Sequence, residues 1–319
     1  MSTQEKSRCR TVFIIVTWNR KKMLGQCLHS LKKYIPCLHK IMVVDNASSD
    51  GTSDLVKREH PDVMLIENKR NEGFGKANNR GLDYLVRRSI PFDYVVFLND
   101  DVRLYDGSLQ DLIHYMDDHP EVKACLPGVF MDHGKLQTGV AGYGLSLKSA
   151  FYYFSFLSIL FPRFFKGFFI HQHYFRKRGI ILEVDWISGV CMVLEGGVAR
   201  ALRFSEDFFM YAEDLALCAE IKKFGKIVYF PRGGILHLGK THTPQTSPRW
   251  IESLFRYYKM ENGKGAAEKL RFLKIIFACG FLLRCFGYSI LNIVSGSENA
   301  QKRRELLSYS KNILENFFG

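Results

Sequence analysis

Four short apolar runs alternate with helical segments through the first hundred residues, and this alternation constrains the fold more than any other feature. Each run is almost continuously apolar, whereas each intervening segment repeats its apolar residues at helical spacing. The runs are Val12–Thr17, Lys40–Val44, Val63–Glu67 and Tyr94–Leu98, and the helical segments are Lys22–Lys33, Ser53–Glu59 and Gly75–Arg88. Strands that are apolar along their whole length are typical of a parallel sheet with helices on both faces. The sequence therefore predicts an α/β fold with a mostly parallel central sheet.

Polar and acidic residues follow every one of these strands. Thr17–Arg20 follows the first strand, Asp45–Thr52 the second, Asn68–Gly75 the third and Asn99–Asp101 the fourth. Each segment alone is typical of a turn or a helix cap. Because ligands bind beyond the carboxyl ends of parallel strands, the four segments together indicate a binding site at this edge of the sheet.

Two acidic pairs and one histidine are the candidates for chemistry. The adjacent carboxylates of Asp100 and Asp101 repel each other unless they are compensated, so they indicate either a divalent-cation site or a solvated turn. Asp214 follows Glu213 at the start of a predicted helix, where it serves either as a helix cap or as a general base. His237 ends a strand, either as a core or surface residue or as a ligand at the same edge of the sheet.

Positive charge is concentrated in the C-terminal third of the chain. The formal net charge is +13, and from Lys222 onward there are 17 Lys and Arg against 6 Asp and Glu. A basic segment of this kind predicts an anionic partner surface. The remainder of the chain is nearly neutral, which argues against nucleic acid as a partner.

Three absences in the sequence indicate the compartment. The eight cysteines include no CxxC pair, which predicts reduced thiols in the cytosol rather than a zinc site or disulfides. The N-terminal apolar stretch is too short for a signal peptide. The uncharged apolar runs Ser149–Pro162 and Ile275–Leu283 are shorter than the roughly 18 residues of a membrane-spanning helix. We expect a cytoplasmic protein that can lie on a membrane without crossing it.

Aromatic residues crowd one segment, and the tail is basic. Phe151–Phe175 contains 12 Phe and Tyr in 25 residues, which is typical of a buried helical hairpin or of an interfacial hydrophobic patch rimmed by cations. The amphipathic tail has predicted helices at 250–260, 266–293 and 299–317. It is expected to bind an anionic membrane surface, to pack on the core or to form a homo-oligomer.

Seven sequence blocks occur in a fixed order between residues 11 and 240. The blocks are VTWNR, VVDNASSDGT, NEGFGKANNRGL, FLNDDV, DWISGVCMVL, FFMYAEDLALCAEIKKFG and ILHLG. Their order and spacing resemble glycosyltransferase family 2, and within it the bacterial rhamnosyltransferase-like enzymes of surface polysaccharide synthesis. The resemblance implies a nucleotide-diphospho-sugar transferase (GT-A) domain at 1–244, with a nucleotide-binding half at 11–103, an acceptor half at 104–244, an aromatic-rich insertion at about 149–178 and a helical tail at 245–319.

The resemblance also implies roles for individual residues. Asp101 and His237 would hold Mg²⁺ or Mn²⁺ on the donor diphosphate, and Asp214 would be the catalytic base. This chain carries Asn99 where many relatives carry Asp. The nucleotide would be bound by Thr17, Asn19, Asp45, Gly75, Asn78, Asn99 and Asp100, and the donor sugar and acceptor by Trp186, Ser188, Gly189 and Glu213.

The reaction implied by the resemblance is inverting transfer of rhamnose or a similar hexose from a nucleotide-diphosphate sugar donor to a hydroxyl of a growing surface glycan. A metal ion offsets the charge of the leaving group, and a carboxylate accepts the proton of the hydroxyl. Such acceptors are carried on polyprenyl lipid, which implies a peripheral position on the inner face of the cell membrane. Two alternatives are a nucleotidyltransferase, whose Gly-rich phosphate loop is missing after the first strand, and a membrane or nucleic-acid binding module on an inactive core.

Overall fold

The computed structural model describes residues 11–35, 39–105, 107, 109–131, 134–239, 249–295, 307 and 310. The chain divides into two compact units. Unit 1 consists of Met1–Ala141 and Gln172–His242, and unit 2 consists of Gly142–His171 and Thr243–Gly319. Most of the aromatic segment therefore shares a unit with the tail. The helix predicted at 299–317 lies outside the described residues except at 307 and 310.

Unit 1 contains the strands and seven of the helices that the structure describes. The strands are β1 (Thr11–Thr17), β2 (His39–Asp45), β3 (Met64–Glu67), β4 (Tyr94–Asn99), β5 (Val102–Arg103), β6 (Val122–Phe130), β7 (Ala141–Gly142, at the unit boundary), β8 (Leu182–Val184), β9 (Trp186–Ile187), β10 (Cys191–Glu195) and β11 (Lys226–His237). The helices are α1 (Lys21–Tyr34), α2 (Thr52–Glu59), α3 (Phe74–Arg87), α4 (Gln110–Asp118), α7 (Gln172–Lys177), α8 (Gly196–Ala201) and α9 (Glu213–Ile221).

Unit 2 is helical in its described residues. Its helices are α5 (Leu147–Phe154), α6 (Leu157–Leu160), α10 (Arg249–Asn262) and α11 (Ala266–Ser295), with one 3-10 turn at Gly263–Gly265. The predicted tail helices at 250–260 and 266–293 correspond to α10 and α11. None of the described helices combines the length and the apolar character that crossing a membrane requires.

One large sheet organises unit 1. Its strand order is β3–β2–β1–β4–β10–β6–β11–β5, and β8 pairs with β11. β1 runs parallel to β2 and β4, and β2 runs parallel to β3. The predicted α/β fold is confirmed, and the first four strands are parallel as expected. β10 runs antiparallel between β4 and β6, so its amino end lies beside the carboxyl end of β4.

The apolar runs form strands because helices cover the sheet. Phe13, Ile14 and Ile15 are fully buried in β1, and burying each such side chain stabilises the fold by roughly 1.5–3 kcal/mol. α3 approaches the sheet at Gly81, where an added Cβ would lie 2.9 Å from Ile14 Cγ2 and 3.2 Å from Met42 Sδ. The close packing of α3 on β1 and β2 therefore depends on a residue without a side chain.

Aromatic side chains hold α5 and α11 together in unit 2. The Phe154 ring makes edge-to-face contacts with Phe277 and Phe281, at centroid distances of 4.9 and 5.2 Å. Gly280 faces the same ring, and an added Cβ there would come within 2.1 Å of Phe154 Cδ1. α11 therefore packs on α5 through a small residue flanked by large rings.

The aromatic segment is divided between the interior and the surface of unit 2. Phe154 and Phe168 are buried, whereas Leu160, Phe161 and Phe164 are exposed. A buried helical hairpin therefore does not describe the whole segment, and its exposed part retains the character of a surface patch.

Candidate active site

The carboxyl ends of the first four strands meet at one edge of the sheet, as the sequence predicts. In the strand register Thr17 is opposite Asp45, and Asn99 is opposite Val16. The Asn68 N–H donates to the Asp45 carbonyl at 2.8 Å. The polar segments that follow β1, β2, β3 and β4 are therefore neighbours in space.

Asp45 and Asn19 organise the loop after β2. The buried Asp45 accepts the Ser48 N–H at 3.1 Å, and its carboxylate also accepts short hydrogen bonds from the hydroxyls of Ser48 and Ser53. Asn19 has a φ of +53°, and its Oδ1 accepts the Ser49 N–H at 2.7 Å. These contacts shape the loop, while the roles of Asp45 and Asn19 in nucleotide binding stay predictions.

Asp100 and Asp101 lie at the end of β4 in a buried polar cluster. Asp100 Oδ2 accepts a hydrogen bond from Thr17 Oγ1 at 2.7 Å. Asp101 Oδ1 lies 3.0 Å from His237 Nε2. The Arg20 guanidinium forms a short ion pair with Asp101 Oδ2 and lies 3.7 Å from Asp100 Oδ1. The structure thus brings the predicted metal ligands together, with Arg20 beside them.

The two adjacent carboxyl groups differ in acidity. Burial and the charge of Asp101 raise the pKa of Asp100 to about 7. Burial also acts on Asp101, but the hydrogen bond to His237 and the positive charges of His237 and Arg20 outweigh it and lower the pKa of Asp101. Asp101 is therefore ionised over the wider pH range, which is the state that binds a divalent cation.

A residue distant in sequence orients His237. The His237 Nδ1 lies 2.6 Å from Gln137 Oε1, and its Nε2 lies 3.4 Å from Asn99 Nδ2. Because Gln137 Oε1 can accept the Nδ1 proton, Nε2 is the ring nitrogen that faces Asp101 and Asn99. This assignment of the proton follows from the hydrogen-bond partners, and it is the arrangement that metal-binding histidines use.

The Asp101–His237 pair fits a divalent cation. An ionised carboxylate and an imidazole nitrogen are ligands that Mn²⁺ accepts. Gly239 lies against the pair, because an added Cβ would lie 2.5 Å from Asp101 Oδ2 and 3.1 Å from His237 Nε2, so a larger residue there would crowd both side chains. Within the described part of the chain, no group of three or more His, Cys, Asp or Glu side chains is arranged to hold a metal ion. A cation here would therefore take its remaining ligands from water and from a bound diphosphate.

Asp214 lies in the first turn of α9, directly after two residues with a strained backbone conformation. Tyr211 and Ala212 have φ values of +70° and +68°, a region that costs roughly 1–2 kcal/mol for each residue with a side chain. Asp214 Oδ2 accepts the Gly189 N–H at 3.3 Å, and Oδ1 accepts the Leu215 N–H at 2.9 Å. These contacts fix the direction of the carboxylate.

Glu213 and Asp214 both hold protons more tightly than ordinary carboxyl groups. Burial raises the pKa of Asp214 to about 6, although hydrogen bonds from Gly189 and Ser188 act in the opposite direction. Burial and the charge of Asp214 raise the pKa of Glu213 to about 8. Asp214 has the lower pKa of the two, so it is the member of the pair that is ionised near neutral pH and can accept a proton from a bound hydroxyl.

Glu213→Gln is expected to reduce the loss of stability that accompanies a rise in pH towards about 8. The folded protein keeps Glu213 protonated up to about pH 8, whereas an unfolded glutamate ionises near pH 4.3. The folded state therefore binds more protons between these values, and the free energy of unfolding falls as the pH rises through this range. In thermal melts between about pH 5 and about pH 8, the wild type should lose more stability than the variant. Parallel losses would contradict a protonated Glu213.

The two acidic clusters are neighbours in the fold. The Asn99 N–H donates to the Val190 carbonyl at 3.1 Å. Val190 follows Gly189, whose N–H donates to Asp214, and Asn99 precedes the pair Asp100–Asp101. Because β4 and β10 are antiparallel neighbours, the candidate base and the candidate cation site lie along the same edge of the sheet.

Gly73 lies where the loop after β3 contacts the loop before α9. The N–H of the next residue, Phe74, donates to the Phe209 carbonyl at 3.1 Å. At Gly73, which has a φ of +83°, an added Cβ would lie 2.2 Å from the same carbonyl oxygen. Only a residue without a side chain permits this approach.

Gly73→Ala is expected to destabilise the fold for two separable reasons. Backbone strain costs about 1–2 kcal/mol, and overlap with Phe209 adds about 1–3 kcal/mol. Chemical denaturation measures the total. Gly179→Ala is the matched control, because Gly179 has a φ of +62° with open space around it and should show the strain alone. Equal losses in the two variants would contradict the close approach.

Three of the predicted binding residues have packing roles. Asn78 is buried, and its Nδ2 donates to the Phe74 carbonyl at 3.0 Å. Gly75 allows close packing, since an added Cβ would lie 3.0 Å from Phe204 Cβ. Trp186 is buried in β9. Their predicted contacts with nucleotide or sugar stay predictions.

Three residues near the site, Arg20, Trp18 and Gln137, have no role that the sequence alone predicts. Arg20 and the exposed Trp18 follow β1 within the same polar segment as Thr17. Their position at the carboxyl end of this strand is the one feature of the sequence that points to the site. Gln137 contacts a histidine 100 residues further along the chain, and no pattern in the sequence connects the two.

The fold and the site define a nucleotide-sugar transferase, and comparison with known proteins gives its family. Residues 12–175 match the model of Glycosyl transferase family 2, and the chain belongs to this family. It is therefore a glycosyltransferase that uses a nucleotide-sugar donor.

The related proteins are consistent with this assignment. The chain is 26% identical over 243 residues, covering 74% of this chain and 78% of the relative, to the N-acetylglucosaminyl-diphospho-decaprenol L-rhamnosyltransferase of Mycobacterium tuberculosis strain H37Rv. It is 28% identical over 196 residues, covering 58% of this chain and 69% of the relative, to the rhamnosyltransferase WbbL of Escherichia coli K12. The fold matches the mannosyltransferase PcManGT from Pyrobaculum calidifontis in complex with GDP-Man and Mn²⁺, with a TM-score of 0.58, 16% identity and coverage of 96% of this chain and 85% of that chain.

Proposed function

We propose that the protein transfers rhamnose or a similar hexose from a nucleoside diphosphate to a hydroxyl of a lipid-linked glycan. The observation that carries this proposal is the shared edge of the sheet, where Asp214 and the Asp101–His237 pair lie close in the fold. The names of two relatives support rhamnose as the sugar, and one of these names specifies a lipid-diphosphate acceptor.

Asp214 is the general base of the proposed reaction. The acceptor oxygen attacks the anomeric carbon as its proton passes to the Asp214 carboxylate, and the nucleoside diphosphate departs from the opposite side. This in-line displacement inverts the configuration at the anomeric carbon. The Gly189 N–H holds the carboxylate in place, and a positioned base contributes about 10²–10⁴-fold to the rate.

Asp101 and His237 would hold the divalent cation, which is Mg²⁺ or Mn²⁺. When bound, the cation offsets the negative charge that develops on the departing diphosphate. Asp101 supplies an ionised carboxylate, and Gln137 holds the His237 ring with Nε2 towards it. Thr17 donates to Asp100 and fixes the neighbouring carboxyl group.

A transfer assay with purified protein tests the proposed function. The donors are dTDP-rhamnose and UDP- and GDP-hexoses, and the acceptor is a polyprenyl diphosphate that carries N-acetylglucosamine. We expect one donor to give a glycosylated lipid, with inverted configuration by NMR and loss of product in EDTA. A product of retained configuration would refute the single displacement, and no transfer from any donor would refute the substrate assignment.

An anionic membrane surface is the proposed partner of unit 2. Phe164, Leu160 and Phe161 are 79%, 67% and 52% exposed. Residues 142–171 contain three Lys and Arg and no Asp or Glu. A second exposed apolar row follows one face of α11, at Phe272, Ile275, Leu282 and Phe286. Apolar side chains rimmed by cations suit the headgroup region of a bilayer, where each Lys or Arg contributes about 1 kcal/mol.

Vesicle flotation tests this partner. The double variant Phe161→Ser/Phe164→Ser should bind vesicles with anionic lipid at least about tenfold more weakly, because burying each phenyl ring contributes roughly 1.5–3 kcal/mol. Phe224→Ser is the control, since Phe224 is 47% exposed in unit 1, and it should bind like the wild type. Equal flotation of all three proteins would exclude the patch as the membrane contact.

A further inference from the structure

Arg20 links the buried acidic cluster to solvent. Its side chain is 38% exposed, whereas the side chains of Asp100 and Asp101 are 9% and 5% exposed. It precedes α1 and makes no capping hydrogen bond with its side chain there. Its guanidinium instead contacts Asp101 Oδ2 and lies 3.7 Å from Asp100 Oδ1. Arg20 thus supplies positive charge to two adjacent carboxyl groups that would otherwise repel each other.

The contact made by Arg20 overlaps with the candidate cation site. Arg20 contacts Asp101 Oδ2, and the other oxygen of the same carboxylate, Oδ1, lies 3.0 Å from His237 Nε2. A divalent cation bound by Asp101 and His237 would therefore lie close to the guanidinium. Like charges at short range in a buried setting repel strongly, so both cations cannot be held well by the same carboxylate.

We propose that Arg20 is a placeholder cation, which neutralises the two carboxyl groups in the nucleotide-free protein and moves onto the donor diphosphate when a divalent cation binds. The inference rests on the proposed function, since the diphosphate and the cation are those of the proposed donor complex. A guanidinium is well suited to bind the donor diphosphate, because its planar set of donors binds phosphate oxygens in a bidentate manner. No bond forms or breaks in this exchange of ion pairs.

The exchange makes cation and nucleotide binding cooperative. Without the diphosphate, the cation must displace Arg20 from Asp101 and leave the guanidinium with only the more distant Asp100 carboxyl group, 3.7 Å away, as a partner. With the diphosphate present, the displaced guanidinium gains a new anionic partner. Each ligand therefore strengthens binding of the other by the same factor, and coupling of this kind is typically about 5–150-fold.

Manganese titrations followed by electron paramagnetic resonance test the proposal. Mn²⁺ affinity is measured alone and with saturating dTDP, UDP or GDP, using the nucleotide that gives the largest thermal shift with the wild type. The proteins are the wild type, Arg20→Gln, Arg20→Lys, Asp101→Asn and a control, Arg87→Gln. The Arg87 side chain is exposed and pairs with Asp83 on the same helix, 3.6 Å away and outside the acidic cluster. Melting curves confirm that each variant is folded.

Arg20→Gln is expected to bind Mn²⁺ about tenfold more tightly than the wild type without nucleotide, and to lose most of the enhancement by nucleotide. Arg20→Lys keeps the positive charge, so it should still bind Mn²⁺ weakly without nucleotide. It provides the comparison with the wild type if the glutamine variant is unstable. Arg87→Gln should match the wild type, and Asp101→Asn should lose Mn²⁺ binding.

Two results would overturn the proposal, and they separate it from the proposed function. The placeholder role would be wrong if, without nucleotide, Arg20→Gln bound Mn²⁺ no more tightly than the wild type. The cation site would still stand in that case if Asp101→Asn lost Mn²⁺ binding. Absence of Mn²⁺ binding by the wild type with every nucleotide would remove both the placeholder role and the proposed cation.

Discussion

Asp214→Asn is expected to lower the rate of transfer by about 10²–10⁴-fold while the protein stays folded. Asparagine has nearly the same shape as aspartate, and its carbonyl oxygen can still accept the Gly189 N–H that lies 3.3 Å from Asp214 in the wild type. It cannot accept the proton of the attacking hydroxyl. Steady-state transfer assays measure the loss, and calorimetry should show nearly unchanged affinity for the donor nucleotide.

The pH dependence separates the loss of a base from a general defect. In the wild type, kcat/KM should rise with pH through about 6, the value to which burial raises the pKa of Asp214. Because Asp214 interacts with Glu213, the measured value belongs to the pair. The residual activity of Asp214→Asn should lack this rise. Turnover equal to that of the wild type in the variant would remove Asp214 from the mechanism.

Asp101→Asn is expected to lower transfer by about 10²–10³-fold, the range found when one group that stabilises developing charge is removed. The substitution removes the negative charge that faces both His237 Nε2 and Arg20. Nucleotide binding should lose its dependence on Mn²⁺, which calorimetry with and without the metal measures directly.

Asp62→Asn is the control for the loss of a charged pair as such. Asp62 is exposed and pairs with Lys32 on the surface of unit 1, where such pairs contribute about 1 kcal/mol or less. The control should keep full activity and the metal dependence of the wild type. Metal-dependent nucleotide binding that survives in Asp101→Asn would place the cation elsewhere.

The first half of the sheet was predictable because one physical pattern governs it. Strands buried on both faces must be apolar throughout, so each run in the segment Val12–Leu98 coincides with a strand to within two residues. β11 was harder, because Pro231–Gly234 is typical of a loop. In the structure the strand continues through this segment, with a register shift between Phe230 and Ile235. Pairing with β6 and β5 on either side of the shift keeps both halves of β11 in the sheet.

The candidate site was predictable where it follows from parallel topology. The carboxyl ends of β1, β2 and β4 must meet, and Thr17, Asp45 and Asp100 follow from that rule. The partner of His237 was not predictable, because Gln137 reaches it only through the folded path of the chain. The roles of Arg20 and Glu213 depend on burial and on neighbouring charges, which local sequence does not contain.

The most direct measurement is a crystal structure of the protein with Mn²⁺ and a nucleoside diphosphate, using anomalous scattering to locate the metal. The proposed active site predicts Mn²⁺ bound by Asp101 and His237, with the diphosphate at the carboxyl ends of β1 and β4 and Asp214 beside the same cleft. Mn²⁺ on other residues, or a nucleotide bound away from this edge of the sheet, would contradict it.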